Sequence, residues 1–300
     1  MKNKPFFQTI IFILIGLLTT LILLAAKVMF EQTSAGQRLE SYGYETLHSY
    51  LPYFTPREDM PVVVVDVGNP DEGVDQVTPR DKLEEIINAI VKENPAAIAV
   101  AIDFSPQLSG PWQDPKDPDF FEYCLRLREN GIPIFLGVER SAQSMPESWL
   151  GVRKYQPLAV GVGFHSHYMD KVILWFGSDI PSERLPSLSL AMARSYRATL
   201  PQPPALFSGM LVAGENSDHQ TIRQGDAVFT YSDAIVNYST LDALKTGSLS
   251  ATAAQTIADN GHIFPNKLVL IGKIRNTDDL HNIALQANPV AGVLLHASAT

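Results

Sequence analysis

The sequence predicts an α/β fold: a mainly parallel sheet with helices on both faces, preceded by one N-terminal transmembrane helix and a helical stalk. Three observations predict it. Runs of apolar, β-branched residues recur as buried strands read. Between them lie segments with a helical apolar period and explicit start signals. Ahead of them all stands a long segment without a single charge.

That segment is Phe6 to Ala26, 21 uncharged residues. A helix of about 20 apolar residues crosses the roughly 30 Å of bilayer hydrocarbon. Lys2 and Lys4 precede it and Lys27 closes it. Basic residues ahead of a first apolar helix favour keeping that end cytoplasmic. A cleaved signal peptide is the competing reading, but its apolar region usually runs about 7–15 residues. Leu24-Ala25-Ala26 also makes a poor cleavage site, because Leu24 takes the position that wants a small side chain. Residues 1–27 are therefore expected as cytoplasmic terminus and anchor, 28–57 as stalk helix and linker, and 58–300 as an extracytoplasmic α/β domain.

Val28 to Tyr50 carries apolar and aromatic residues at helical intervals, and Pro52 and Pro56 end it. Val62 to Val67 is the first buried strand. Thr78-Pro79-Arg80-Asp81 reads as a helix start, with Thr78 as N-cap and Pro79 in the first turn. Leu83, Ile86, Ile87, Ile90 and Val91 then mark one helix face. Ala97 to Ile102 is the second strand. Asp117-Pro118 repeats the cap-then-proline signal for a helix reaching Gly131, and Ile132 to Val138 is the third strand. Consecutive βαβ units of this kind make a parallel sheet.

Beyond Gly151 the pattern is less regular. Strands are expected at Leu158 to Phe164, Val172 to Phe176, Asp226 to Tyr231, Ala234 to Tyr238 and Leu268 to Gly272. Leu188 to Leu200 reads as a helix, and Gly292 to Thr300 as the start of another. The chain stops within that element, which suggests a piece of something longer.

Charge narrows the function. The formal net charge is −9, and without Lys2 and Lys4 the remainder carries −11. So acidic a body repels phosphate backbones, and no nucleic-acid partner is expected. Cys124 is the only cysteine, so no intrachain disulfide can form. It falls within a helical segment with no evident base beside it and reads as a packed core thiol. Trp112 and Trp149 fall in loops and read as partly buried anchors.

In open parallel sheets ligands bind outside the carboxyl ends of the strands. Asp66, Asp103, Lys273 and Arg275 fall at or beyond such ends, Arg80 opens the first crossover helix, and Asp279 follows the last strand. Together they form a candidate crevice with acidic and basic walls for a small polar ligand or a partner protein. The structural alternative for Asp66 and Asp103 is loop fixation by accepting backbone N–H groups. His165-Ser166-His167 with Asp170 is the one metal-like pattern, since alternate strand residues share a face. It lacks a further Cys or His, and exposed turn histidines are the plainer reading. An exported hydrolase or metal enzyme built on His165, His167 and Asp170 is the alternative function. Gly161-x-Gly163 has neither the third glycine nor the helix of a dinucleotide loop, and no Walker loop or Gly-x-Ser-x-Gly elbow is present. No cofactor is expected, and the region reads as non-catalytic.

The order of segments resembles the second-type CHASE extracellular sensory domain of bacterial membrane adenylate cyclases, histidine kinases and Ser/Thr kinases. The residues carrying the resemblance are Pro61 to Val67, Thr78-Pro79-Arg80 and Ala97 to Phe104, then Val228-Phe229-Thr230-Tyr231, Leu268 to Gly272, Asp279, and Pro289 to Ala297. The resemblance implies a membrane-anchored input domain followed by further membrane helices and a cytoplasmic catalytic module, with a homodimer as one candidate assembly. Two departures stand out: Gln76-Val77-Thr78 replace a tryptophan-rich turn, and Gly151 to Asp170 lack an Asn-x-x-x-Asp-x-x-Gly-x-x-Arg run.

Overall fold

A computed structural model describes residues 16–23, 26–27, 33, 36, 43, 61–68, 78–105, 112–139, 149–162, 171–176, 185–199, 220–224, 227–235, 241–274, 280–281 and 290–299. The chain divides into two compact units, residues 1–55 and 56–300. In the first, residues 16–23 are helical. Leu17, Leu18, Leu21, Ile22 and Leu23 all stand exposed there. Among the described residues no helix is long and apolar enough to cross a membrane. The rest of the Phe6–Ala26 run and nearly all of the expected stalk lie outside the described residues.

The second unit is built on a six-stranded sheet. Its strands are β1 (Val62–Asp66), β2 (Ala97–Val100), β3 (Ile134–Val138), β4 (Ala159–Gly161), β9 (Leu249–Ser250) and β10 (Leu268–Gly272). Their order is β4-β3-β2-β10-β1-β9, and every neighbouring pair is parallel. The late strand β10 thus enters the centre, between β1 and β2. Registers such as Val64 opposite Leu270 and Leu270 opposite Ala99 align apolar side chains across the three strands.

Two apolar cores flank this sheet, and strand alternation sorts residues between them. Val65, Ile98, Val100, Leu136, Val269 and Ile271 face one core. The helices closing it are α1 (Arg80–Val91), α2 (Asp117–Glu129) and α5 (Ala251–Asn260). Val62, Val64, Ala97, Ala99, Leu268 and Leu270 face the other. That side is closed by α3 (Leu188–Thr199), α4 (Leu241–Thr246) and α6 (Gly292–Ala299). Helices therefore cover both faces of a parallel sheet, as the sequence predicts.

A second sheet was not foreseen. It is antiparallel, ordered β6-β5-β8-β7, from β5 (Lys171–Phe176), β6 (Leu185–Pro186), β7 (Gln220–Gln224) and β8 (Ala227–Ile235). The two strands expected across Asp226 to Tyr238 are one strand, β8, whose pairing with β5 carries register shifts. Such irregularity lets a strand run through the polar Ser232-Asp233 pair that reads as a break. A two-residue ribbon, β11 (Leu280–His281) with β12 (Val290–Ala291), precedes α6.

The two expected helix starts are corrected. Pro79, not Thr78, occupies the N-cap of α1, and no side chain caps it. The buried Thr78 hydroxyl has no hydrogen-bond partner among the described residues. At α2 the N-cap is Lys116. Asp117 turns back instead, accepting the N–H groups of Gln113 and Asp114 at 2.8 and 2.9 Å. The α2 terminus is as expected: Gly131, with φ +90, takes the left-handed turn that glycine adopts without penalty.

Candidate functional site

A crevice of about 450 Å³ opens above the carboxyl ends of β1 and β9, between the first turns of α1 and α5. Asp66, Val67 and Gly68 form its floor, Lys82 and Glu85 one wall, and Ser250, Thr252 and Gln255 the other. Each wall follows from local chemistry. The Ser250 hydroxyl accepts the N–H of Ala253 and starts α5 at the crevice rim. Lys82 lies half buried one turn into α1, and its ammonium donates to the Val67 carbonyl at 3.0 Å, holding the turn after β1.

Asp66 is the hub of the floor. One carboxylate oxygen, Oδ1, accepts the N–H of Gly68 at 3.1 Å and that of Ile274 at 3.2 Å. The Val67 N–H donates to the Gly272 carbonyl at 3.0 Å, so β1 and β10 are tied beyond their last paired residues. Asp103 does the same further along the sheet: its Oδ1 accepts from the N–H groups of Ser105 and Glu139, joining the ends of β2 and β3. Both aspartates act as backbone acceptors at strand ends, and Asp66 in addition lines the crevice.

Arg80 sits elsewhere than the crevice. Its side chain is 1% exposed and enters the core. There Nε donates to Asp117 at 2.6 Å, and a terminal nitrogen donates to Gln113 at 3.1 Å. Its guanidinium also lies 4.3 Å from the centre of the Phe104 ring. Arg80 is thus the bolt between α1, the turn before α2 and the aromatic core rather than a crevice wall. Lys273 follows β10 directly and is half buried. Arg275, Asp279, His165, His167 and Asp170 lie outside the described residues. Among the described residues no group of three or more His, Cys, Asp or Glu side chains is placed to hold a metal ion.

Cys124 is buried in the core, where burial pushes its thiol upward, away from the reactive thiolate. Trp149 is fully buried and donates its indole N–H to the Phe104 carbonyl at 2.9 Å, and Trp112 packs edge-on to Phe121 and Tyr155. Near them, hydrogen bonds from Lys154 and then Tyr155 hold the Glu122 carboxyl below the usual range.

Lys82, Glu85, Ser250, Thr252 and Gln255 were not singled out from sequence. Lys82 stands one turn before Ile86 at the margin of the apolar face and Glu85 is exposed, so neither charge breaks the pattern of an amphipathic helix. Ser250 carried the one usable signal, a capping residue ahead of an alanine-rich segment.

A second relationship reaches the far face of the sheet. A β-carbon on Gly272 would lie 2.8 Å from Cγ2 of Val293, so the end of β10 presses directly on α6. The same helix is held by the Ser189 hydroxyl, which donates to the His296 carbonyl at 3.2 Å. The His296 ring also approaches the Val162 carbonyl at 3.3 Å.

The protein is thus an α/β module, a doubly covered parallel sheet whose polar crevice stands at the carboxyl edge, the place where open parallel sheets that bind ligands hold them. The family model of the CHASE2 domain matches residues 15–300, and the chain belongs to this family of extracellular sensory domains. No curated protein and no solved structure gives a significant match to the chain.

Proposed function

We propose that this chain is the extracytoplasmic input domain of a bacterial membrane receptor. Residues 1–27 anchor it with the N-terminus in the cytoplasm. A small polar ligand or a partner protein occupies the crevice around Asp66 and Lys82. The resulting change passes to a cytoplasmic output module such as an adenylate cyclase or histidine kinase.

One observation carries the reading. The end of β10 meets the crevice on one side, through Ile274 and Asp66, and α6 on the other, through Gly272 and Val293. A ligand that prefers one spacing of β1 and β10 therefore prefers one seating of α6, the last helix of the described chain. Binding shifts an equilibrium only by its differential affinity for the two states, and small shear between packed elements is a common form of such states. Membership of a sensory family supports the input role, and the uncharged Phe6–Ala26 run supports the anchor.

The test is orientation and coupling in one cell preparation. In an E129C variant the new thiol lies on an exposed position of α2, while Cys124 stays buried. The protein is expected in the membrane fraction, with E129C labelled by a membrane-impermeant maleimide in intact cells. Fused to a cyclase module, K82E is expected to change basal cyclic nucleotide output at unchanged protein level. Labelling only after lysis, or output identical to the parent, contradicts the proposal.

A further inference from the structure

The crevice at the end of β1 brings charges of both signs together: Asp66 and Glu85 are acidic, Lys82 is basic. One peptide unit, Val67–Gly68, stands between two of them. Its carbonyl accepts from the Lys82 ammonium at 3.0 Å, and its N–H donates to Oδ1 of Asp66 at 3.1 Å. The C=O and N–H of a trans peptide point in opposite directions, so cation and carboxylate are held at opposite edges of that unit. Peptide dimensions then place the ammonium nitrogen and Oδ1 at most about 8.5 Å apart. Among the described residues neither Asp66, Lys82 nor Glu85 enters an ion pair. Both hydrogen bonds of the Asp66 carboxylate fall on Oδ1, and Oδ2 accepts none from the described residues. An ammonium has three N–H donors, of which Lys82 uses one on Val67. Asp66 and Lys82 are both partly buried. Charges that lose hydration in this way are offset by an opposite charge or by strong hydrogen bonds.

Resting on the reading of this crevice as the input site, we infer that its ligand is a free α-amino acid with a small side chain. Such a molecule carries an ammonium and a carboxylate on one carbon, and the crevice offers a partner for each. The ammonium donates to Oδ2 of Asp66, and Glu85 adds negative potential at the rim. The carboxylate accepts from the two N–H groups that Lys82 keeps. The Ser250 oxygen already accepts from Ala253, which leaves the hydroxyl proton to donate to the same carboxylate. Ile86 and Ala251 bound the remaining space, and about 450 Å³ lies in the lower part of the range for small-molecule sites, about 300–1,000 Å³. A simple anion would meet two carboxylates, and a simple cation would leave Lys82 without a partner. A neutral sugar would leave all three charges without a counter-charge. The ammonium also acts on the carboxylate that accepts the Ile274 N–H, so this ligand touches the tie between β1 and β10.

Titration calorimetry of the full chain in neutral detergent tests this with glycine, L-alanine and L-serine. At least one is expected to bind saturably, one to one. Its amide lacks the anionic group and its hydroxy-acid counterpart lacks the ammonium. Each is expected to bind at least tenfold more weakly, as loss of a charge-assisted hydrogen bond implies. K82Q is expected to weaken the amino acid at least tenfold and to leave its amide unchanged, and K82R to restore most of the affinity. D66N is expected to weaken the amino acid and its amide alike; should it fail to fold, K82Q and K82R decide the matter. Absent binding by all three, equal affinity for amino acid and either analogue, or full affinity in K82Q overturns the inference. Glucose binding in place of the amino acids, blocked by T252W, overturns it too and leaves the input reading standing. Amino-acid binding that leaves the output of the cyclase fusion unchanged upholds the ligand class and contradicts the input reading instead.

Discussion

The carboxylate of Asp66 accepts the backbone N–H of Ile274 at 3.2 Å, across 208 residues of chain. With the Gly68 N–H on the same oxygen, one side chain holds together the ends of the first strand and of the last central strand. Asp66→Ala strands two partly buried N–H groups. It is expected to lower stability by about 1–3 kcal/mol, the usual range for orphaned donors, in urea denaturation of the detergent-solubilised chain. Stability unchanged from the parent would show the bond to be ornamental.

Arg80 and Asp117 form an ion pair that is 1% exposed at both ends. Removing one partner leaves a buried charge alone. Arg80→Met is therefore expected to cost about 3–5 kcal/mol, and pairing it with Asp117→Asn to cost less than the two changes summed. Denaturation followed by Trp149 fluorescence reads both. Full additivity would mean that the two side chains do not act on each other.

Gly272 leaves no room for a side chain because Cγ2 of Val293 would stand 2.8 Å from its β-carbon. Gly272→Ala is expected to destabilise by about 1–3 kcal/mol as overpacking does. Adding Val293→Ala, which removes the obstructing methyl groups, is expected to restore part of the loss. A double mutant no more stable than Gly272→Ala alone would break the proposed contact between β10 and α6.

Cys124 offers a pH test. Burial pushes its thiol well up, whereas an unfolded thiol ionises near about pH 8.5. The native state therefore holds this proton more tightly than the unfolded chain. Its contribution is complete below that pH and declines as the solution becomes more alkaline. Native protein is expected to resist thiol reagents at pH 8 and to react at the rate of unfolding. Stoichiometric labelling within minutes under native conditions would contradict the packing described.

Much of the parallel sheet was legible because its strands are buried on both faces and read as unbroken apolar runs, Val62 to Val67 and Leu268 to Gly272 among them. Their order was not, since nothing local states that Leu268 to Gly272 enters between Val62–Asp66 and Ala97–Val100, two strands formed far earlier in the chain. The antiparallel sheet escaped notice for a different reason: β7, Gln220–Gln224, is mostly polar and lacks the alternation that marks a half-buried strand. Helix α5 has only Ala254 fully buried, so its apolar stripe is too faint to register. At the site, Asp66 was legible from its place at a strand end. Arg80 pointed the wrong way because its partner Asp117 lies 37 residues on, and sequence spacing cannot show that a cation has found a buried carboxylate. Lys82 and Ser250 became visible only once folding set α1 beside α5.

The central claim is that the crevice and α6 move as one through β10. Hydrogen exchange of the full chain in lipid nanodiscs tests it most directly, comparing the parent with Thr252→Trp, which fills the crevice from an exposed position on its rim. The account predicts a several-fold change in exchange across residues 268–274 and 292–299, with α2 unaffected. Identical exchange in α6, beside a confirmed change at the crevice itself, would contradict it.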